Sequence, residues 1–383
     1  MKKICLITSA EFIVRSFLIE PLRVLSREYE VSLVVNTENC GFLDEYELDI
    51  EVIPVSIERE IHPIADMGAL FRLIRLFQRE KFDVVHSIAP KAGLLTMLAG
   101  VVTLRPIRIH SLSGQVWATK HGALRLFLKT LDSLTAALAT NLLSDSKSQV
   151  SFLVNEGVIN ANKVRVLGDG SIAGVDVTRF KPDLQVRHGM REKMGTPDHA
   201  EVVLFLGRLK RDKGVLDLVR AFSMLDDRQE TWLWIVGPDE DGLSNEIKTI
   251  CGKGQGKLCL SSYTQKPELY MAAADVFVLP SYRESFGVTV LEAAACGLPT
   301  IGTRIYGIVD AIQEGKTGLL IKAGDVQELA KNLNELLNDE TLRLQLGTIA
   351  RQRVLQNFSC KRVTGFWMDF YKSLLNNKMA ESS

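Results

Sequence analysis

Four side chains in the second half of the sequence have types and spacings suited to holding a phosphorylated, hydroxyl-rich ligand. Arg208 and Lys213 lie in Phe205-Leu-Gly-Arg-Leu-Lys-Arg-Asp-Lys-Gly-Val215, the first just past a strand-like run and the second in the turn that follows, where two fixed cations can clamp a diphosphate. Gly207 and Gly214 let the backbone approach such a ligand closely. Glu284 and Glu292 lie in Tyr282-Arg-Glu-Ser-Phe-Gly-Val-Thr-Val-Leu-Glu-Ala-Ala-Ala-Cys-Gly-Leu-Pro-Thr, which follows Val276-Phe-Val-Leu-Pro280 and opens a helix near Phe286 or Gly287. The free N–H groups of that helix's first turn make an anion site flanked by two carboxylates. A carboxylate beside a phosphate is poor bulk electrostatics, so Glu284 and Glu292 read as acceptors for uncharged hydroxyls, those of a sugar first. Taken singly, Glu284 is equally a helix cap, and a strand-end Arg and Lys such as Arg208 and Lys213 are more often solvated surface charges than ligands. Both cations and an anion-binding helix end in one domain favour the ligand.

The elements that must position these residues are read from the rhythm of the chain. Its 383 residues suggest two or three domains. Short β-branched runs alternate with helical stretches: Lys3 to Thr8, Val31 to Val35, Val52 to Val55, Asp83 to Ile88, Ile107 to Ser111, Thr140 to Ser144 and Val164 to Leu167. After a polar stretch with Pro182, Gly189, Gly195 and Pro197, the rhythm restarts with Val202 to Gly207, Trp232 to Gly237, Lys257 to Leu260, Asp275 to Pro280, Pro299 to Gly302 and Gly318 to Ile321. This predicts an α/β protein of two doubly wound parallel-sheet domains, residues 1–185 and 186–357, with ligands at the strands' carboxyl ends. Residues 358–383 are expected to form a helix, striped by Val363, Phe366, Trp367, Phe370, Tyr371 and Leu374, and a polar tail from Met379.

Composition excludes several classes. Forty-six basic residues balance 46 acidic ones, the pI is about 7.0 and no like-charge tail is present, so no nucleic-acid partner is expected. The six cysteines are scattered without C-x-x-C or neighbouring His, as reduced packing residues of a cytoplasmic protein. The apolar run Ile4 to Ile7 is too short for a signal-peptide core, and the stretches 92–104 and 131–143 fall short of the roughly 18 residues of a membrane span. Charge is uneven locally. Residues 28–66 hold 11 acidic residues against one Arg, whereas residues 67–130 hold 10 Lys or Arg against Glu80 and Asp83. Leu and Phe alternate with Arg72, Arg75 and Arg79 there, and Arg125 and Lys129 stand among Leu124, Leu126 and Leu128. A flank that docks peripherally on anionic membrane is one reading; a sheet-covering helix with a solvated basic face is the other.

Gly207-Arg208-x4-Lys213-Gly214 and Glu284-x7-Glu292, with the segment from Tyr263 to Pro280, resemble the donor domain of glycosyltransferase family 4, of GT-B fold, and the resemblance spans nearly the whole chain. The stretches 83–93 and 167–180 and the aromatic closing helix are similar to bacterial enzymes of capsule, O-antigen or exopolysaccharide assembly. The resemblance implies two Rossmann-like domains facing a cleft, with the last helix crossing back to the first. It implies a retaining hexosyl or N-acetylhexosaminyl transfer, from a nucleotide-sugar donor linked to UDP, onto a lipid-linked saccharide, without a metal or other cofactor. Arg208 and Lys213 would hold the diphosphate and Glu284 the hexosyl hydroxyls. The backbone at Phe286, Gly287 and Val288 would meet phosphate and sugar oxygens, and Glu292 the ribose. No nucleophile is implied; the diphosphate oxygen itself would deprotonate the acceptor. On the acceptor side, Ser113-Gly114 stands where many relatives have His-Gly, and Lys91 belongs to the same expected side. His110, three residues before Ser113, reads as a packed core residue.

Other motifs are set aside. Asp239-Glu-Asp241 imitates a D-x-D metal motif but precedes a helix, where acidic residues cap. Glu314-Gly-Lys-Thr-Gly318 lacks the first glycine of a phosphate loop, and Gly168-x-Gly170-x3-Gly174 has one residue too many for a dinucleotide fingerprint. The rivals to a glycosyltransferase are a sugar-nucleotide epimerase of the same architecture and a non-catalytic sugar-nucleotide-binding relative.

Overall fold

A computed structural model describes residues 1–58, 61–225, 230–252 and 257–381, with side chains through Asn376. The chain divides into two compact units, residues 1–174 with 360–383, and residues 175–359. The first unit carries seven strands: β1 (Lys3–Ile7), β2 (Glu30–Val35), β3 (Glu51–Pro54), β4 (Val84–Ile88), β5 (Ile107–Leu112), β6 (Asn141–Ser144) and β7 (Val164–Val166). They pair in parallel in the order β3-β2-β1-β4-β5-β6-β7. Strand β4 is buried at every residue, which a parallel sheet achieves only with helices on both faces. Those helices are α1 (Glu11–Ile13), α2 (Ile19–Leu25), α3 (Pro63–Glu80), α4 (Pro90–Val102), α5 (Gly122–Leu138) and α6 (Lys147–Asn155). From β3 to β6 the chain advances in one direction, so right-handed crossovers put α3, α4 and α5 side by side on one face. The step from β1 back to β2 puts α2 on the other.

The second unit repeats the plan with β8 (Glu201–Leu206), β9 (Thr231–Val236), β10 (Leu258–Ser261), β11 (Val276–Leu279), β12 (Thr300–Thr303) and β13 (Gly318–Ile321). Their order is β10-β9-β8-β11-β12-β13, again all parallel. Its helices are α7 (Leu184–Lys193), α8 (Val215–Ser223), α9 (Ser244–Cys251), α10 (Pro267–Ala273), α11 (Val288–Ala295), α12 (Ile308–Ala311), α13 (Val326–Asn338) and α14 (Glu340–Arg353). One further helix, α15 (Cys360–Glu381), follows.

Helix α15 belongs to the first unit, as the resemblance implies. Val363, Trp367, Phe370, Tyr371 and Leu375 are buried in that unit's core, each contributing about 1.5–3 kcal/mol of apolar transfer. The Tyr371 hydroxyl lies 2.6 Å from His86 Nδ1, and His86 Nε2 lies 2.8 Å from Ser111 Oγ. Trp367 stacks on the same imidazole with centroids 5.3 Å apart. Burial drives His86 down to about 3, so the network is made by a neutral ring.

Two boundaries differ from the sequence reading. The first unit ends at Gly174, not at 185, because Val175 and Phe180 are buried in the second core and the Val175 N–H donates to Phe358 O. The second unit therefore runs from 175 to 359, not from 186 to 357. The expected polar tail from Met379 is helical through Glu381, and residues 382–383 lie outside the described residues.

Candidate active site

Strands β8 and β11 are neighbours in the second sheet although helices and two strands separate them in sequence, and the strand order reverses between them. Loops leaving such a pair diverge and open a crevice at the strands' carboxyl ends. Gly207 and Arg208 leave β8 there, and Pro280 to Glu284 leave β11. Two close approaches fix this ground. Gly214 has φ +69°, and a Cβ on it would lie 2.0 Å from Pro280 O; one on Gly237 would lie 1.9 Å from Gly207 O. The turn bearing Lys213 thus sits flush against the end of β11. The Tyr282 N–H donates to Asp212 O at 2.9 Å, tying the loops together through the backbone.

Side chains complete the stitching. Lys213 Nζ donates to Glu284 Oε1 at 2.5 Å, with both side chains mostly buried. Ser281 Oγ donates to the same oxygen at 3.0 Å, and among the described residues Glu284 Oε2 has no hydrogen-bond donor. The Tyr282 hydroxyl donates to Asp217 Oδ2 at 2.6 Å, and Arg283 Nη2 to Asp212 Oδ2 at 3.1 Å. Arg208 Nη1 donates to Glu240 Oε2 at 3.1 Å, and Lys210 lies 3.5 Å from the same oxygen. Asp239 accepts from the N–H groups of Leu243 and Ser244, the cap expected of that acidic run.

Helix α11 starts on Gly287, whose φ of +83° and lack of Cβ fit it against Ile308. Its N-cap, Gly287, has no side chain to cap it, and its first turn carries no acidic residue. Its opening N–H groups, Val288's included, have no intrahelical acceptors. Phe286 is fully buried against Phe358, so only its backbone can serve a ligand. Further along α11, Glu292 is half-buried and, among the described residues, its carboxylate has no hydrogen-bond or ion-pair partner. Burial pushes it up to about 7, with Arg179 pulling down and Glu268 pushing up. Arg179 Nη2 donates to Glu268 Oε2 at 2.7 Å and to Gln265 O at 2.8 Å, which pins the loop between β10 and α10.

In the first unit, Lys91 stands in the first turn of α4 after β4, and its Nζ lies 2.5 Å from Asp66 Oδ1. Ala89, just before that helix, has φ +82°, a costly angle for a residue with a Cβ. Ser113 and Gly114 follow the adjacent strand β5, so the fold brings all three residues expected on the acceptor side to one edge of one sheet. His110 is buried, lies 2.9 Å from Ser87 Oγ through Nδ1, and touches Gly93; it is a packed core residue, as its place in the strand predicts. The basic flank is corrected in part. Arg125 and Lys129 both donate to Glu156 at 2.8 Å and lie over the Trp117 ring, so both half-buried cations are engaged within the fold.

Sequence reasoning missed Asp212, Asp217, Tyr282 and Glu240. Asp217 left a signal, since a charge inside Val215-Leu-Asp-Leu-Val219 must find a partner when the run is buried.

Residues 186–353 match the family described as glycosyl transferases group 1, and residues 18–170 match the glycosyl transferase 4-like domain. The capsular polysaccharide biosynthesis glycosyltransferase CapM of Staphylococcus aureus is 30% identical over 343 residues, covering 89% of this chain and 88% of that protein. The Escherichia coli UDP-Gal:alpha-D-GlcNAc-diphosphoundecaprenol alpha-1,3-galactosyltransferase is 27% identical over 366 residues, covering 92% and 91%. Among solved structures, Anabaena HepE in complex with UDP-glucose superposes with a TM-score of 0.81 at 18% identity, over 97% of this chain and 100% of that one. With sheets, crevice and motifs in agreement, the chain belongs to the group 1 glycosyltransferases, with a family 4-like first domain and the GT-B fold.

Proposed function

We propose that this glycosyltransferase moves a hexosyl or N-acetylhexosaminyl group from a UDP-sugar to a lipid-linked saccharide in cell-surface polysaccharide assembly, with retention at the anomeric carbon and without a metal. The observation that carries the donor side is the pairing of Lys213 with Glu284 beside Arg208 and the open end of α11, all at the one crevice of the second sheet. In this reading Arg208, Lys213 and the N–H groups at Gly287 and Val288 take the charge that builds on the leaving diphosphate. Glu284 Oε1 stays on Lys213 while Oε2 accepts from a sugar hydroxyl, and Glu292 meets the ribose. The bond from the sugar carbon to the diphosphate breaks, the acceptor oxygen bonds to that carbon from the same face, and its proton passes to the released diphosphate. Lys91, Ser113 and Gly114 are assigned to the acceptor.

UDP as the nucleotide, and a diphosphoundecaprenol-type acceptor, are supported by the names of the Escherichia coli galactosyltransferase and of the HepE complex. Among the described residues no helix is long and apolar enough to cross a membrane. The peripheral place on the cytoplasmic face that we assign the enzyme is supported by the diphosphoundecaprenol substrates in the relatives' names.

The experiment is calorimetry and thermal shift with UDP, GDP, ADP and CMP, with and without magnesium. Binding to the native state alone raises its stability, so UDP should raise the melting temperature equally in both conditions. A response to GDP alone moves the donor to another nucleotide, a response only with magnesium overturns the metal-free mechanism, and silence overturns the reading. Lys213→Ala and Glu284→Ala should each lower turnover on the order of 100-fold or more with the fold intact. Activity within a few-fold of the parent removes these residues from the site.

A further inference from the structure

Arg179 lies in Val175-Asp-Val-Thr-Arg-Phe180, outside both donor motifs, yet the chain aims it firmly. Asp176 Oδ1 accepts from the Thr178 hydroxyl at 2.6 Å and from the N–H groups of Thr178 and Arg179 at 2.9 and 3.2 Å, which closes a tight turn. Phe180 anchors that turn in the core of the second unit, and the Arg179 guanidinium lies over its ring, 5.1 Å from the centroid. From there the fork reaches two partners distant in sequence. Nε and Nη2 donate to Glu268 Oε2 at 2.9 and 2.7 Å, and Nη2 also donates to Gln265 O at 2.8 Å.

Stability alone does not account for this arrangement, since an ion pair whose side chains are 43% and 17% exposed adds little to a fold. Its surroundings point elsewhere. Glu268 stands in the first turn of α10, which packs on α11, and both Glu268 and Arg179 act electrostatically on Glu292. Glu292 stands one helical turn beyond Val288 on the same stripe of α11, about 6 Å along the axis from the helix's open end. A nucleoside diphosphate with its phosphates on that open end and its ribose on Glu292 lies along the stripe. Its base then extends toward residues 262–266, the loop that Arg179 holds by Gln265 O. That loop leaves the edge strand of its sheet and carries Tyr263 with its side chain exposed, so it needs an anchor. An arginine suits the task because its planar fork serves a carboxylate and a carbonyl together.

We propose that Arg179 is the positioning residue for the nucleoside half of the donor: by holding Gln265 and Glu268 together, it sets the loop after β10 where a base meets it while the ribose meets Glu292. The inference rests on the donor reading above and deepens it. Discrimination among nucleobases then depends on a side chain that acts through a loop and not by touching the ligand.

The test is calorimetry of the full chain, and of its Arg179→Met and Arg179→Lys variants, with UDP, CDP, GDP and inorganic pyrophosphate, with melting temperatures read on the same samples. The parent should prefer UDP. Arg179→Met keeps an unbranched side chain without its donors; it should weaken UDP about tenfold or more and narrow the lead of UDP over CDP, because the base must then order the loop itself. Pyrophosphate, which has no nucleoside, should bind this variant as it binds the parent, and the melting temperature should not move. Arg179→Lys should recover part of the UDP affinity at most, since an ammonium has no fork to hold the carboxylate and the carbonyl together. A methionine variant that binds UDP as tightly as the parent overturns the proposal and leaves the donor reading standing. So does an equal loss for UDP and pyrophosphate, which marks a general disturbance of the second unit, and so does full recovery with lysine. A parent that prefers GDP, with the same losses in the variants, corrects the nucleotide and keeps the role of Arg179. A parent that binds no nucleoside diphosphate overturns both.

Discussion

Arg208 and Lys213 each face a carboxylate of this chain, and the two pairs differ in what a diphosphate must overcome. The Arg208–Glu240 pair is about a third exposed on both sides, a setting in which ion pairs are worth roughly 0–1 kcal/mol. Glu240 therefore competes with a donor phosphate for the guanidinium at little benefit to the fold. Glu240→Gln should tighten UDP binding a few-fold by calorimetry with an unchanged melting temperature; weaker binding would show that Glu240 orients Arg208 and does not compete for it. The Lys213–Glu284 pair is mostly buried, so removing either partner strands a charge. Both members stood out in the sequence as candidates, a cation in the turn after one strand-like run and a carboxylate before the helix that follows another. That they bond to each other was not legible. Nothing in one chain's spacing says which loop ends touch, and the same limit hid Glu240, which arrives from the loop after β9.

Between elements, close backbone contact matters more than any single charge. Gly214 couples the turn after β8 to the end of β11, and an added Cβ would strike Pro280 O in a left-handed conformation. Gly214→Ala should cost about 1–3 kcal/mol by denaturant midpoint and weaken UDP binding as the turn bearing Lys213 shifts. Retention of both would show that the turn relaxes without moving the site. The Tyr282 hydroxyl does similar work on Asp217; Tyr282→Phe should lower turnover about tenfold while leaving nucleotide affinity nearly intact, because it loosens Glu284 without touching a ligand. The strands themselves were readable to within a residue or two at each end. Continuous apolar runs, such as Val276 to Leu279, have one stable home in a sheet covered on both faces. The unit boundary was not readable. The polar composition after Phe180 marks where helix α7 begins, whereas the division falls where Val175 and Phe180 already pack into the second core.

Over the whole molecule, the two units should answer acid differently. In the first, burial lowers His86 from 6.5 to about 3 and His110 to about 4, so below pH 6.5 the unfolded chain takes up protons that the folded unit refuses. Their stabilisation is full above pH 6.5 and is lost as pH falls. Asp132, raised to about 6 by burial beside Trp117, opposes them, but one carboxyl stands against two imidazoles, each displaced further. In the second unit, Glu292 is raised to about 7, so its contribution is full below pH 4.5 and lost as pH rises through 7. Hydrogen exchange between about pH 7.5 and pH 5, corrected for intrinsic rates, should show protection falling in β4 and β5 while α11 holds or gains; equal losses in both units would rule this out. Helix α15 has a consequence in time. A ribosome delivers residues 175–359 as one unbroken piece, ready to fold as it emerges, while the seven strands made before it wait with one face of their sheet only partly covered, by α2, until Trp367 and Tyr371 arrive. The part of the protein begun first is finished after the other, and a message cut short between Ser359 and Val363 yields a complete second unit tethered to a first one that cannot close.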